Sequence, residues 1–275
     1  MSRILVLYFS GTGNTCFCAN YLRNRIDRKN INVTLGSIET FPKDRIADYD
    51  LLVVGFPVYA CQLPSFVKDY FWDIPLVRSG FVFLFCTKGF YAGNAIYQAK
   101  NVLENSGYIT LGFAEVTMPG SDGLAFLKPD SKMAKKLCDR DYEDIDGLNW
   151  MAKAISEGIG QYPFVWEVPE YPVKKLFKGW VVGVLFHLCY AGIFKILMRK
   201  FRSDNHCVQC GICTKICPSG NITLKHGKVS FDSKCWLCMR CIHQCPKASI
   251  QIGKGTVGKM RWKGPKGNFN PLRKI

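Results

Sequence analysis

The sequence predicts an α/β protein: a doubly wound, five-stranded parallel sheet followed by a small α+β unit. Three observations lead there. Over residues 1–160, apolar β-rich runs alternate with segments of helical period, the pattern of a parallel sheet covered by helices on both faces. A polar, glycine-rich turn, Ser10-Gly11-Thr12-Gly13-Asn14-Thr15, follows the first apolar run. Towards the C-terminus, one cysteine spacing occurs twice, 28 residues apart. With 275 residues, 48% hydrophobic and 21% charged, the chain is long enough for two folded domains.

Taken in order, Ile4 to Phe9 is the first strand. Past the polar turn, Cys18, Leu22 and Ile26 recur four apart on one helical face. Asn32 to Gly36 reads as a short edge strand. Leu51 to Gly55 and Phe81 to Phe85 are continuous apolar runs, as central strands buried on both faces require. Between them a helix begins near Pro64, with proline in its first turn. Ala95, Ile96, Ala99, Val102 and Leu103 give a helix over 92–105. Thr110 to Val116 is the fifth strand, and Asp144 to Gly158 a closing helix. Ligands of such a sheet sit at the carboxyl ends of its strands.

Those ends carry the first chemistry. Strand, polar glycine loop, helix is the arrangement in which backbone N–H groups and hydroxyls wrap a phosphate. It lacks the Gly-Lys-Ser/Thr ending of a Walker loop. Phe56-Pro57-Val58-Tyr59-Ala60 follows the third strand and Thr87-Lys88-Gly89-Phe90-Tyr91-Ala92-Gly93 the fourth. Together the three loops resemble those of flavodoxins, and the resemblance implies a flavodoxin-like domain that binds FMN. On it, the phosphate falls to Ser10, Gly11, Thr12, Gly13, Asn14 and Thr15. Pro57, Val58, Tyr59 and Ala60 would line one side of the isoalloxazine, with Tyr59 a candidate to stack. Thr87, Lys88, Gly89, Phe90, Tyr91 and Gly93 would line the other. Lys88 departs from the acidic surroundings common in flavodoxins. It either raises the flavin potential as a cation near N1 or points into solvent.

The second unit rests on Cys207-x2-Cys210-x2-Cys213-x3-Cys217-Pro218 and its copy Cys235-x2-Cys238-x2-Cys241-x3-Cys245-Pro246, with Ile222 repeated as Ile250. Zinc sites also use paired Cys-x2-Cys, but need only two pairs. Three close cysteines plus a Cys-Pro, twice over, resemble the two-cluster, bacterial-type 4Fe–4S ferredoxins, in which the fourth cysteine of each run ligates the other cluster. The resemblance implies Cys207, Cys210, Cys213 and Cys245 on one 4Fe–4S cluster, and Cys235, Cys238, Cys241 and Cys217 on the other. Residues 221–231 form a hairpin between the runs.

The expected domains are 1–160, flavodoxin-like; 161–202, a connector; 203–253, the two-cluster ferredoxin; and 254–275, a basic tail, docked or free. Inside the connector, 180–194 is apolar apart from His187, with lysine and arginine on both flanks. Fifteen residues fall short of the roughly 20 that span a bilayer. The segment is either a helix packed between the domains or one lying in the membrane interface. Met1-Ser2-Arg3 runs straight into a strand, with no signal-like segment. With 14 Cys, that favours reduced, iron-binding thiols and a cytoplasmic setting over disulfides. The remaining cysteines, Cys16, Cys18, Cys61, Cys86, Cys138 and Cys189, read as core or loop residues.

The formal charge of +16 becomes roughly +10 once two clusters and a flavin phosphate are counted. It points to acidic redox protein partners or an anionic membrane surface, with no motif for specific nucleic acid. The whole resembles the flavodoxin–ferredoxin fusion proteins of anaerobes. That implies an electron-transfer iron–sulfur flavoprotein linking one-electron and two-electron carriers. Two alternatives stand beside it: an FMN-dependent reductase of a quinone, nitro compound or similar electrophile, and a membrane-associated redox subunit or sensor. No dinucleotide fingerprint for NAD(P)H is visible.

Overall fold

The structure, a computed structural model, describes residues 2–26, 31–78, 80–158, 192–193 and 196–272. Most of the expected connector, including 180–191 and 194–195, lies outside the described residues. No described helix is long and apolar enough to cross a membrane.

Five strands, β1 (Ser2–Tyr8), β2 (Ile31–Ser37), β3 (Leu51–Pro57), β4 (Gly80–Lys88) and β5 (Tyr108–Thr117), form an all-parallel sheet in the order β2-β1-β3-β4-β5. Each central strand is apolar on both sides because both sides are buried. Leu5, Leu7, Leu52, Val54, Val82 and Leu84 face one core. Ile4, Val6, Leu51, Val53, Phe83 and Phe85 face the other. Helices α2 (Ser65–Trp72) and α3 (Ala95–Asn105) cover the first core; α1 (Asn14–Ile26) and α6 (Asp146–Gly158) cover the second. Cys18, Leu22 and Ile26 are the fully buried stripe of α1. Pro64 stands one residue before α2 in extended backbone, so it caps the helix instead of opening its first turn. Two short helices, α4 (Ser121–Leu124) and α5 (Lys132–Cys138), carry the chain from β5 to α6. They are too short to show periodicity, and sequence reading did not find them. The strand order reverses between β1 and β3, which makes the loop after β1 the topological switch point.

The second half is a compact repeat. β6 (Phe201–Ser203) pairs antiparallel with β9 (Ile250–Ile252), and β7 (Ile222–Lys225) with β8 (Lys228–Phe231). Short helices α7 (Ile212–Ile216) and α8 (Arg240–Gln244) each begin near the third cysteine of a run. Backbone conformation repeats with the sequence. Positive φ occurs at Gln209 and Leu237, at Gly211 and Met239, and at Gly220 and Ala248, each pair 28 residues apart. Two of these three pairs therefore put a non-glycine residue where its partner is glycine, in a conformation that costs about 1–2 kcal/mol per residue.

The two halves share a core. Ala125 packs with Phe201, Leu237, Met239, Ile242, Ile250 and Ile252. The basic tail is docked as far as Phe269: Met260 N–H donates to Leu127 O (2.8 Å) and Gln244 Nε2 to Phe269 O (3.0 Å). Trp262 is buried. Arg261, one of the tail's cations, donates to the carbonyls of Ala248, Thr256, Lys259 and Met260. Of the cysteines outside the runs, Cys18 and Cys86 are buried, while Cys16 accepts the Tyr8 hydroxyl at 3.2 Å. Cys189 lies outside the described residues.

Candidate functional site

The loop after β1 is small, polar and buried. Ser10 Oγ accepts Gly13 N–H (3.1 Å), and Thr15 Oγ1 meets Thr87 Oγ1 at 2.9 Å. The second contact joins this loop to the one after β4. Asn14 is engaged at both ends of its amide: Nδ2 donates to Pro119 O (2.8 Å) and Oδ1 accepts Trp262 Nε1–H (2.7 Å).

The two flanking loops interlock. Tyr59 and Gln62 exchange backbone hydrogen bonds (3.0 and 3.1 Å) around Ala60 and Cys61, at φ 50° and 61°. Two consecutive left-handed residues in a two-residue turn give it type I′ character. Neither is glycine, so the turn stores strain of the kind found at ligand clamps. Gly93 (φ 58°) fits beneath it, since a Cβ there would lie 2.1 Å from Cys61 O. Val58 N–H donates to Thr87 O (2.8 Å). Tyr59 directs its hydroxyl at Gly11, within 2.8 Å of where a Cβ would stand. Phe90 is 94% exposed at the lip. Lys88 neither faces solvent nor presents a free cation: it is partly buried and ion-paired with Glu115 of β5.

The eight cysteines ring two cavities. Cys207, Cys210, Cys213 and Cys245 line one; Cys217, Cys235, Cys238 and Cys241 line the other. The fourth thiol of each run thus sits with the other run. Among the described residues, no three His, Cys, Asp or Glu side chains converge on a single metal ion. Four thiols set around a cavity suit the corners of a cubane. The Cys217 and Cys245 sulfurs also accept backbone N–H groups, from Asn221 (3.3 Å) and Ser249 (3.2 Å). The first ring is the more exposed, with Cys210 at the surface; in the second Cys238 is buried, and the other six thiols are partly buried. Burial pushes the Cys238 thiol up to about 12 and raises Cys241 as well, so iron has to displace firmly held protons there.

A family model described as a 4Fe-4S dicluster domain matches residues 206–250. Over 114 residues the chain is 28% identical to a flavodoxin of Megasphaera elsdenii, a match covering 40% of this chain and 83% of that one. The whole fits a flavodoxin–ferredoxin fusion. Among solved structures, the two-electron reduced Megasphaera elsdenii flavodoxin aligns with 43% of this chain and 89% of its own, at 25% identity and a TM-score of 0.38. A flavodoxin from the domain Archaea aligns with 56% and 96%, at 16% identity and a TM-score of 0.41. A flavodoxin-like domain joined to a 4Fe–4S domain supports an electron-transfer flavoprotein in general.

The join between the flavodoxin-like and ferredoxin halves was not legible beforehand. The second cysteine ring sits directly on the loop after β1: a Cβ on Gly11 would lie 2.6 Å from Cys238 O and 3.4 Å from Cys238 Cβ. Trp236, between two ring cysteines, stacks flat on Phe66 of α2 (centroids 3.8 Å apart, 3° between planes). Phe9 meets Phe66 edge-on at 4.6 Å. Arg240 reaches from α8 to the carbonyls of Ser10 and Gly11. Trp262 and Phe269 of the tail close over Asn14 and Gly13. A tryptophan inside a cysteine run and an arginine directly before a ligand cysteine were the available signals. Neither has a periodicity that would name its partner.

His243 fastens the same join. It is fully buried, accepts Trp262 N–H at Nδ1 (2.9 Å) and donates from Nε2 to Ser121 O (2.8 Å). Burial holds its pKa at about 4, with Arg261 adding in the same direction. The folded value lies below the unfolded one, so the unfolded chain binds more protons between them. Stability is complete above about 6.5 and is lost as pH falls towards about 4, by up to roughly 3 kcal/mol. His243→Gln keeps one donor and one acceptor but cannot titrate. Thermal unfolding from pH 7.5 to 4.5 should therefore fall less steeply in this variant than in the wild type. Parallel curves would refute the assignment.

Proposed function

We propose that this chain passes electrons between two 4Fe–4S clusters and FMN, linking one-electron and two-electron carriers. The observation that carries the reading is the contact of Cys238, in the less exposed cysteine ring, with Gly11 of the phosphate loop. Clusters exchange single electrons, whereas FMN accepts or releases one or two. Cys207, Cys210, Cys213 and Cys245 hold the outer cluster; Cys217, Cys235, Cys238 and Cys241 hold the inner one. Ser10, Gly11, Thr12, Gly13 and Thr15 cradle the flavin phosphate at the N-terminus of α1. The loops 57–60 and 87–93 flank the ring, with Phe90 free to close on it. Trp236 and Met239 line the inner ring and Leu237 packs beside it, and low solvent exposure is one of the settings that lowers a cluster's potential.

The outer ring is the port for a redox partner. Cys210 is exposed and Val208 beside it is 57% exposed. Lys247 lines the ring, and the hairpin bearing Lys225 and Lys228 presses its turn against Gln209. A cationic rim around an exposed apolar centre suits an acidic partner. The exposed Phe90 lip favours a second reading, direct reduction of a small electrophile, for which turnover with a quinone or nitro compound is the discriminating assay. The main reading is tested by anaerobic titration with a one-electron donor, with iron and flavin counted on the same sample. About eight iron and one FMN per chain are expected, taking up about four electrons. Fewer than about four iron, or no FMN, would defeat it.

A further inference from the structure

Arg240 is 2% exposed, and all five of its N–H groups are used. Nε donates to Gly11 O (3.2 Å). Nη1 donates to Glu39 Oε2 (2.7 Å) and Ile216 O (3.0 Å), and Nη2 to Ser10 O (2.8 Å) and Glu39 Oε1 (2.5 Å). The fork on Glu39, which follows β2, fixes the guanidinium in its plane. Stability alone is a weak reason for such a group, because well-packed apolar residues often replace a buried ion pair without loss.

The choice of partners supplies a better one. Two of the five bonds go to consecutive carbonyls of the phosphate loop. Across a planar trans peptide, C=O and N–H point in opposite directions. The units that hold the Ser10 and Gly11 carbonyls also contain the N–H groups of Gly11 and Thr12. Arg240 draws the carbonyls to its own side and so turns both N–H groups the other way. Neither N–H meets an acceptor among the described residues, although both residues are buried. Buried N–H groups without partners are rare. Two adjacent ones before the N-terminus of the 13-residue helix α1 make a concavity for an anion.

We propose that Arg240, supplied by the ferredoxin half, is a positioning residue for the flavin phosphate: it holds back the Ser10 and Gly11 carbonyls so that the Gly11 and Thr12 N–H groups face the phosphate. The inference rests on the FMN reading above. It makes affinity for the phosphate depend on the docked cluster loop and, by linkage, makes retention of the inner cluster depend on bound FMN. The guanidinium charge is already matched by Glu39, so the effect is one of direction and not of net charge.

The test titrates flavin-stripped, iron-loaded protein with FMN and, separately, with riboflavin, which lacks the phosphate, following flavin fluorescence. Wild type should prefer FMN. Arg240→Lys cannot fill five bonds, and should raise the FMN Kd by about tenfold or more while leaving riboflavin binding and iron content unchanged. Glu39→Asp, which keeps the charge but shortens the fork and lies outside the cysteine loops, should act in the same direction. Equal weakening of both flavins would reduce Arg240 to a staple between the halves and overturn the proposal. So would an unchanged preference for FMN in both variants. A wild type that binds neither flavin would instead defeat the FMN reading on which the proposal stands.

Discussion

Replacing Cys217 with serine is expected to remove the cluster beside the phosphate loop and spare the other. By sequence Cys217 closes the first run, but in space it lines the second cavity with Cys235, Cys238 and Cys241. Iron should fall from roughly eight to roughly four per chain. The surviving cluster should be the exposed one, and its electrons should no longer reach the flavin within the chain. Cys245→Ser should do the converse: it strips the exposed ring, to which Cys245 belongs, and leaves the inner cluster in contact with the flavin site. Iron content together with flavin reduction in the two variants separates crossed from uncrossed ligation. If Cys217→Ser lost the exposed cluster, the crossed assignment would be wrong.

The second large effect is expected at Gly11. In a phosphate loop a glycine reads as room for the phosphate, but here it is also room for the partner half. A methyl group at this position would stand 2.6 Å from Cys238 O and 2.8 Å from Tyr59 Oη. A tyrosine hydroxyl can swing aside; a backbone carbonyl in a cluster loop cannot. Gly11→Ala should therefore lift the inner cysteine ring from the loop. The cost of overpacking is about 1–3 kcal/mol, visible as a lower Tm, with slower flavin reduction by the clusters. Gly123→Ala is the control, because nothing lies within 4 Å of its Cβ position, and it should match wild type. Equal Tm and equal flavin reduction rates in the two variants would show that the Cys238 contact does not seat the halves.

What the sequence made legible follows from what leaves a periodic or spaced trace. The continuous apolar runs at 51–55 and 81–85 became central strands because burial on both faces permits nothing else. The 28-residue repeat anticipated the two rings, and the structure adds the backbone reason: left-handed residues recur at the same offset. Other features carried no such trace. Lys88 was legible as a cation in the loop after β4, but not as the partner of Glu115, one strand away. The tail from 254 read only as basic and rich in glycine and proline. Its docking depends on Trp262 and Arg261 finding His243, Asn14 and several carbonyls, contacts between distant parts of the chain. Arg240 is the clearest case. One residue from Cys241, it looked like part of a cluster loop, and only the fold puts it against Ser10, Gly11 and Glu39.

On the proposed function, electrons pass from clusters to flavin inside one chain. Stopped-flow reduction of the iron- and FMN-loaded protein by a one-electron donor tests it most directly. Cluster bleaching should come first. Flavin reduction should follow with a first-order rate that does not change with protein concentration. A flavin rate that rises in proportion to protein concentration, or clusters that bleach while the flavin stays oxidised, would contradict the account.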